Sequence, residues 1–159
     1  MEPPRVYIET TIPSAYFDTR TAPEMIRRRE ATRRWWELAA ERYELVTSAM
    51  VHEELRNGPR HRIERWVKLL DSIPLLEREA EIEEIVLAYI REKVMPSDPI
   101  ADSTHLAFAS YHRCDYLLTW NFKHLANPRK FRHIQVVNGL LDLFVPRIVS
   151  PWVLLEEKP

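Results

Sequence analysis

The sequence predicts an α/β protein, an α/β/α sandwich around a central, mostly parallel sheet of about four or five strands. Three observations lead there. Short apolar segments, among them Arg5-Val6-Tyr7-Ile8, Glu44-Leu45-Val46-Thr47 and Tyr116-Leu117-Leu118, read as strands and alternate with longer stretches of helical periodicity. These segments are apolar at successive residues rather than at every second one, the pattern of strands covered on both faces. No repeat or low-complexity linker interrupts the order, and 159 residues, 45% hydrophobic and 30% charged, suit one domain spanning 1–159 with a core of its own.

The first strand runs into Glu9, followed by Thr10-Thr11-Ile12-Pro13-Ser14. An acid at a strand end is a candidate site residue, although acids also solubilise loops. Thr21 with Glu24 makes a capping box for a long helix to about Ala40, with Pro23 in its first turn. Trp35 and Trp36 on that helix are core or subunit contacts. After the second strand, Ser48 caps a helix carrying His52, Glu53, Glu54 and Leu55, and Asn57-Gly58-Pro59 ends it. A helix leaving a strand starts at the strand's C-terminal edge, so Glu53 or Glu54 lies within about two turns, roughly 10 Å, of that edge. A basic amphipathic helix then runs to about Leu70. Ser72-Ile73-Pro74-Leu75 reads as a third strand, placed at an edge by its proline. Glu77 to about Val94 forms a long helix whose apolar stripe is Ile82, Ile85, Val86, Tyr89 and Ile90.

The stretch from Ser97 to Asn121 constrains the site most. Ser97 or Asp98 caps a helix opened by Pro99, and Asp98 reads as a cap rather than a ligand. The helix carries Asp102, Ser103, His105 and Phe108, and the strand 116–118 leads to Thr119-Trp120-Asn121. From Asp102 to His112 a helix climbs about 15 Å, and from Tyr116 to Asn121 an extended chain covers about 16 Å. Antiparallel to one another, they bring Asp102 and Asn121 nearly level at the edge where open α/β sheets place ligands. Asn127-Pro128 opens a helix containing Phe131, Ile134, Val137, Leu140 and Leu141, and Arg147-Ile148-Val149 and Val153-Leu154-Leu155 read as last strands.

Composition removes several functions. No apolar run approaches the roughly 18 residues of a membrane span, and the basic-then-apolar order of a secretory signal is missing, so a cytosolic location is expected. The one cysteine, Cys114, provides no disulfide and no thiolate cage, and reads as a buried structural thiol. Two glycines exclude the P-loop and the dinucleotide fingerprint. Neither a G-x-S-x-G elbow nor H-E-x-x-H occurs. His105 and His112 share a helix face without a third soft ligand, which favours packing or solvent contact over zinc. The net charge of −1 hides unevenness: Arg27, Arg28, Arg29, Arg33 and Arg34 form one basic block, Arg56, Arg60, Arg62, Arg65 and Lys68 another, and Glu77, Glu79, Glu81, Glu83 and Glu84 oppose them. Such blocks are solvated helix faces or a surface that guides a polyanion such as RNA.

Glu9, Glu54 (or Glu53), Asp102 and Asn121 are thus expected at one sheet edge. Crowded carboxylates raise one another's pKa and are relieved by a hard divalent cation, Mg²⁺ or Mn²⁺, which activates water and neutralises charge on a phosphodiester. Thr10, Ser103 and Thr119 are placed to hold waters or phosphate oxygens behind the ligands.

With these residues in view, the chain resembles the PIN domains of VapC-type toxins. The resemblance rests on Val6-Tyr7-Ile8-Glu9-Thr10-Thr11, on Ser48 through Glu54-Leu55-Arg56-Asn57-Gly58, on Asp102-Ser103-Thr104-His105-Leu106-Ala107, and on Tyr116-Leu117-Leu118-Thr119-Trp120-Asn121. It implies an Mg²⁺- or Mn²⁺-dependent endoribonuclease that cleaves RNA phosphodiester bonds, a frequent homodimer, and often a small antitoxin partner. Matched by motif, Glu9 takes the place of the family's first aspartate, and Glu54 and Asp102 match its next two acids; these three are the implied metal ligands. Asn121 stands where many members have a fourth acid. Glutamate at 9 is one methylene longer, and asparagine at 121 lowers the negative charge. The alternative these departures raise is a weak or inactive PIN-like protein that binds RNA or regulates. A phosphohydrolase of small substrates is disfavoured by the missing phosphate loop.

Overall fold

The computed structural model describes residues 2–95 and 99–157. Four strands, β1 (Arg5–Ile8), β2 (Glu44–Val46), β3 (Tyr116–Leu118) and β4 (Arg147–Val149), form one sheet in the order β2-β1-β3-β4. Every pairing is parallel, with Tyr7 opposite Val46 and Leu117, and Leu117 opposite Ile148. Val6, Tyr7 and Ile8 are wholly buried, which requires cover on both faces.

Among the described residues eight helices supply it: α1 (Thr11–Tyr16), α2 (Pro23–Arg42), α3 (Ala49–Arg56), α4 (Arg60–Leu70), α5 (Ala80–Arg91), α6 (Pro99–Tyr111), α7 (Pro128–Leu140) and α8 (Pro151–Glu156). One group packs α2 against α1 and α8, with α4 against α1 and α3. The other packs α5 on α6, and the buried Tyr89 hydroxyl ties α5 to Ser110 of α6 and Asn138 of α7. Residues 103–110 of α6 are all buried. Its small Ser103, Ala107 and Ala109 let neighbours approach from every side, which is why its sequence lacks a polar stripe. Trp35 is buried and Trp36 half-buried against the core, as a core reading of that helix requires. Cys114 is buried, and burial pushes its thiol up to about 12. Among the described residues no helix is long and apolar enough to cross a membrane.

Several expectations are corrected. Val153-Leu154-Leu155 is not a strand but lies in α8: Pro151 opens a helix there, with a fixed φ suited to a first turn. Ser72–Leu75 makes only an isolated parallel bridge between Thr47 and Leu75, because Pro74 has no N–H for a ladder. Thr21 does not cap α2; Ala22 occupies that position without a side-chain bond. Ser48 does occupy the N-cap position of α3, but its hydroxyl turns to Tyr7 rather than to the helix. The fifth helix is shorter at both ends than the expected Glu77 to Val94, its apolar stripe lying wholly within it, and Thr11–Tyr16 forms a helix not expected from the sequence. Asn127 caps α7, its side chain accepting from Arg129 N at 3.1 Å. The caps expected at Ser97 and Asp98 lie outside the described residues.

The two outer strands differ. Beside β2 the chain returns as the Leu75 bridge. On β4, Arg147 N donates to Asp115 O and Val149 O accepts from Thr119 N, so the N–H and C=O of Ile148 face away from the sheet, between Pro146 and Pro151.

Candidate active site

Because all strands are parallel, their C-terminal ends converge on one edge, and each carries a polar continuation: Glu9 and Thr10 after β1, Thr47 and Ser48 after β2, Thr119 to Asn121 after β3. Helices α3 and α6 start at the same edge and contribute Glu54 and Asp102. The expected levelling of Asp102 with Asn121 is observed: Asn121 Nδ2 donates to Asp102 Oδ1 at 3.3 Å. Of the two candidates on α3, Glu54 faces the edge and Glu53 is exposed.

Glu9 is 3% exposed. Its carboxylate bends back to accept from Thr11 N (3.1 and 3.2 Å), Thr11 Oγ1 (2.5 Å) and Thr119 Oγ1 (2.7 Å). The two hydroxyls also brace the loop after β3: Trp120 N donates to Thr11 Oγ1 and Asn121 N to Thr119 Oγ1. Burial pushes the Glu9 carboxyl above its ordinary range, and the His105 charge with the hydroxyl donors only partly offsets it.

Glu54 is the counter-case. Its Oε1 meets His105 Nε2 at 2.5 Å and accepts from Thr10 Oγ1 at 3.0 Å. Partial burial pushes its carboxyl up, but the hydrogen bond and charge of His105, with Thr10, hold it below the ordinary value. His105 itself is wholly buried. Desolvation opposes its charge, yet Glu54, Glu9 and Asp102 together carry its pKa above the ordinary value. Its Nδ1 meets the Tyr7 hydroxyl at 2.8 Å, and that hydroxyl meets Ser48 Oγ at 2.8 Å. With both ring nitrogens protonated, the imidazolium donates to Glu54 and Tyr7, and Tyr7 donates on to Ser48.

Asp102 completes the edge. His124 Nδ1 lies 3.0 Å from its Oδ2, and Asn121 Oδ1 accepts from His124 N, so the Asn121 side chain clamps both Asp102 and the turn that carries His124. Ser103 is buried with its hydroxyl unpartnered. Thr10 backs Glu54 and Thr119 backs Glu9.

Two residues of this edge were missed from the sequence. His105, expected as packing, is hydrogen-bonded on both nitrogens within the acid set, whereas His112 does pack outward, against the Glu77 carbonyl. The available signal was its spacing: three residues after Asp102, it shares that residue's helix face. His124 had no comparable signal, because only the turn after Asn121 brings it back.

The donor chemistry fits a hard divalent cation in kind, since carboxylate and amide oxygens from four elements share one edge and outnumber the imidazoles among them. As arranged, each acid is turned to a neighbour of its own. Among the described residues no three His, Cys, Asp or Glu side chains are grouped to hold a metal ion.

Comparison with known proteins gives three findings. A family model described as PIN domain matches residues 6–127, a span that contains Glu9, Glu54, Asp102 and Asn121. No curated protein matches the chain. Among solved structures, a chain of the crystal structure of VapBC2 from Rickettsia felis bound to a DNA fragment from their promoter aligns with a TM-score of 0.53 at 10% identity, over 92% of this chain and 98% of that one. At that identity the likeness is one of fold.

Proposed function

The chain belongs to the PIN domain family, and from that membership we propose that it is a metal-dependent endoribonuclease, the toxin of a toxin–antitoxin pair. The observation that carries the reading is the gathering of Glu9, Glu54 and Asp102 at one sheet edge, where all three act on the buried imidazole of His105. Glu54, Asp102 and Glu9 would hold Mg²⁺ or Mn²⁺, and the bound ion supplies an activated water and neutralises charge on the phosphodiester.

The chain's own residues do the rest. Thr10 and His105 orient Glu54, Thr11 and Thr119 orient Glu9, and Asn121 with His124 orients Asp102. His105, whose pKa the acids raise, sits on the buried side, where its charge when protonated offsets part of their mutual repulsion. The pairing of a VapC-like fold with a small antitoxin, the homodimer and a cytosolic location belong to the same proposal, as does the reading of residues 1–159 as one domain.

The test is incubation of the purified protein with labelled RNA in Mg²⁺ or Mn²⁺, with EDTA and Asp102→Asn as controls. Cleavage that both controls abolish supports the reading; cleavage that survives both belongs to a contaminant. A second reading, a PIN-like RNA-binding protein that cuts weakly or not at all, is favoured by Asn121 standing in place of a fourth acid and by the inward turn of Glu9. Tight RNA binding without cleavage in either metal selects it.

A further inference from the structure

A cavity of about 370 Å³ opens directly from the carboxylate edge between α1 and the α3–α4 turn. Thr10 and Glu54, hydrogen-bonded to each other, form its inner end; Arg20 and Arg62 stand in its wall, with Trp66 and Gly58 beside them. It is within the size range of small-ligand sites. We propose that this cavity seats the RNA nucleotide adjacent to the cut, with Arg62 as the principal phosphate-binding residue and Arg20 supporting it. The proposal rests on the nuclease reading above.

The charges support this orientation. Arg20 is clasped to Asp18, its Nε 3.0 and 2.9 Å from the two carboxylate oxygens and its Nη2 2.5 Å from Oδ2. That contact neutralises most of Arg20 and holds the Asp18 carboxyl below the usual range. Arg62 is left over. It is half-buried and donates to the neutral Thr19 hydroxyl at 2.8 Å, and among the described residues no carboxylate pairs with it. Arg62 thus faces a cavity that Glu54 and Asp18 also line, and it is the guanidinium there with no carboxylate in direct contact. A phosphodiester strand entering from the acid edge meets this guanidinium with its next phosphate, and a planar guanidinium is a group suited to bind it.

The rest of the basic block does not line this cavity. Arg60 and Lys68 line a shallow groove on the outer side of α4, and Arg65 is exposed. Gly58 fits the wall to its shape: a Cβ there would lie 2.9 Å from the Trp66 ring and 3.2 Å from the Leu55 carbonyl, so only glycine lets the turn close onto the indole. Trp66 lines the cavity with an aromatic surface, and its Nε1 is buried without an acceptor.

The experiment measures KM and kcat for a short RNA in Mn²⁺ for the wild type, Arg62→Ala, Arg62→Gln, Arg62→Lys, Thr19→Ala and Arg65→Ala. Binding of the same RNA is followed by anisotropy in the Asp102→Asn background. Arg62→Ala and Arg62→Gln are expected to raise KM and Kd about tenfold with kcat within about twofold, and to lower the salt slope of binding by about one. Arg62→Lys should recover part of the loss. Thr19→Ala, which removes the hydroxyl and leaves the charge, and Arg65→Ala, which removes an outer charge, should each change KM by less than about twofold. Active Arg62→Ala protein with unchanged KM overturns the subsite and leaves the nuclease reading standing. An equal effect of Arg65→Ala overturns it in favour of diffuse attraction. Unchanged RNA binding with lost binding of a polyglutamate peptide would assign the cavity to an acidic protein segment. A wild type that neither binds nor cuts RNA sinks the nuclease reading and the subsite with it.

Discussion

Glu9 and Glu54 sit at the same sheet edge, both act on His105, and their carboxyls shift in opposite directions. Glu9 is enclosed by hydroxyls and a backbone N–H, neutral donors that do not repay the loss of water. Glu54 is less buried and touches the His105 ring, whose hydrogen bond and charge lower its carboxyl. Which partner a carboxylate meets, more than how near it stands to the others, decides the proton it carries. The three acids are therefore not equivalent: Glu54 and Asp102 each face a histidine, and Glu9 is buttressed from behind.

The largest effect tests that inequality directly. Glu54→Gln and Asp102→Asn should each reduce RNA cleavage in Mn²⁺ by more than about 100-fold, and Glu9→Gln by less, about tenfold, because the Glu9 carboxylate is already turned to Thr11 and Thr119. Equal losses for all three in a single-turnover assay would erase the distinction. Next comes His105→Gln, which leaves Glu54 and Tyr7 facing a neutral amide. It should cost about 1–3 kcal/mol of stability at neutral pH by urea unfolding, and NMR titration should find the Glu54 carboxyl moved up.

The pH dependence of stability sharpens the same contrast. His105 has a folded pKa above its unfolded value of about 6.5, so its contribution is full below that value and is lost as pH rises through the folded pKa. Glu54 has the opposite sign, its contribution being lost as pH falls through a folded pKa below the usual carboxylate range. Glu9, raised, opposes folding increasingly as pH rises above about 4.3. Melting temperatures between pH 4 and 9 should therefore fall on the alkaline side less steeply in His105→Gln than in the wild type; an identical slope removes the imidazolium from the account. The smallest effect is Thr119→Val, about 1 kcal/mol by the same unfolding measurement, with the Glu9 carboxyl pushed further up.

Much of this was legible before any coordinates. β1, β2 and β3 announce themselves as consecutive apolar residues, and the antiparallel run of α6 and β3 was enough to bring Asp102 level with Asn121. What escaped depended on contacts that sequence periodicity does not carry. Val153 to Leu155 is apolar enough for either state, and Pro151 decided for helix. His105 looks like any histidine on an apolar helix until Tyr7 arrives from β1 and Glu54 from α3. His124 becomes a partner of Asp102 only through a turn held by the Asn121 side chain. The charge on Arg62 could be counted in advance, but Asp18 closing on Arg20 and leaving Arg62 without a direct carboxylate contact could not.

The outer rim of β4 has a bearing on how this molecule keeps company. Ile148 alone turns its peptide groups outward, and a proline stands on either side within three residues, so a foreign chain finds a single rung rather than a ladder. Concentrated protein is thereby protected against edge-to-edge fibrillar growth from that side, and whatever associates there has to be recognised by its side chains.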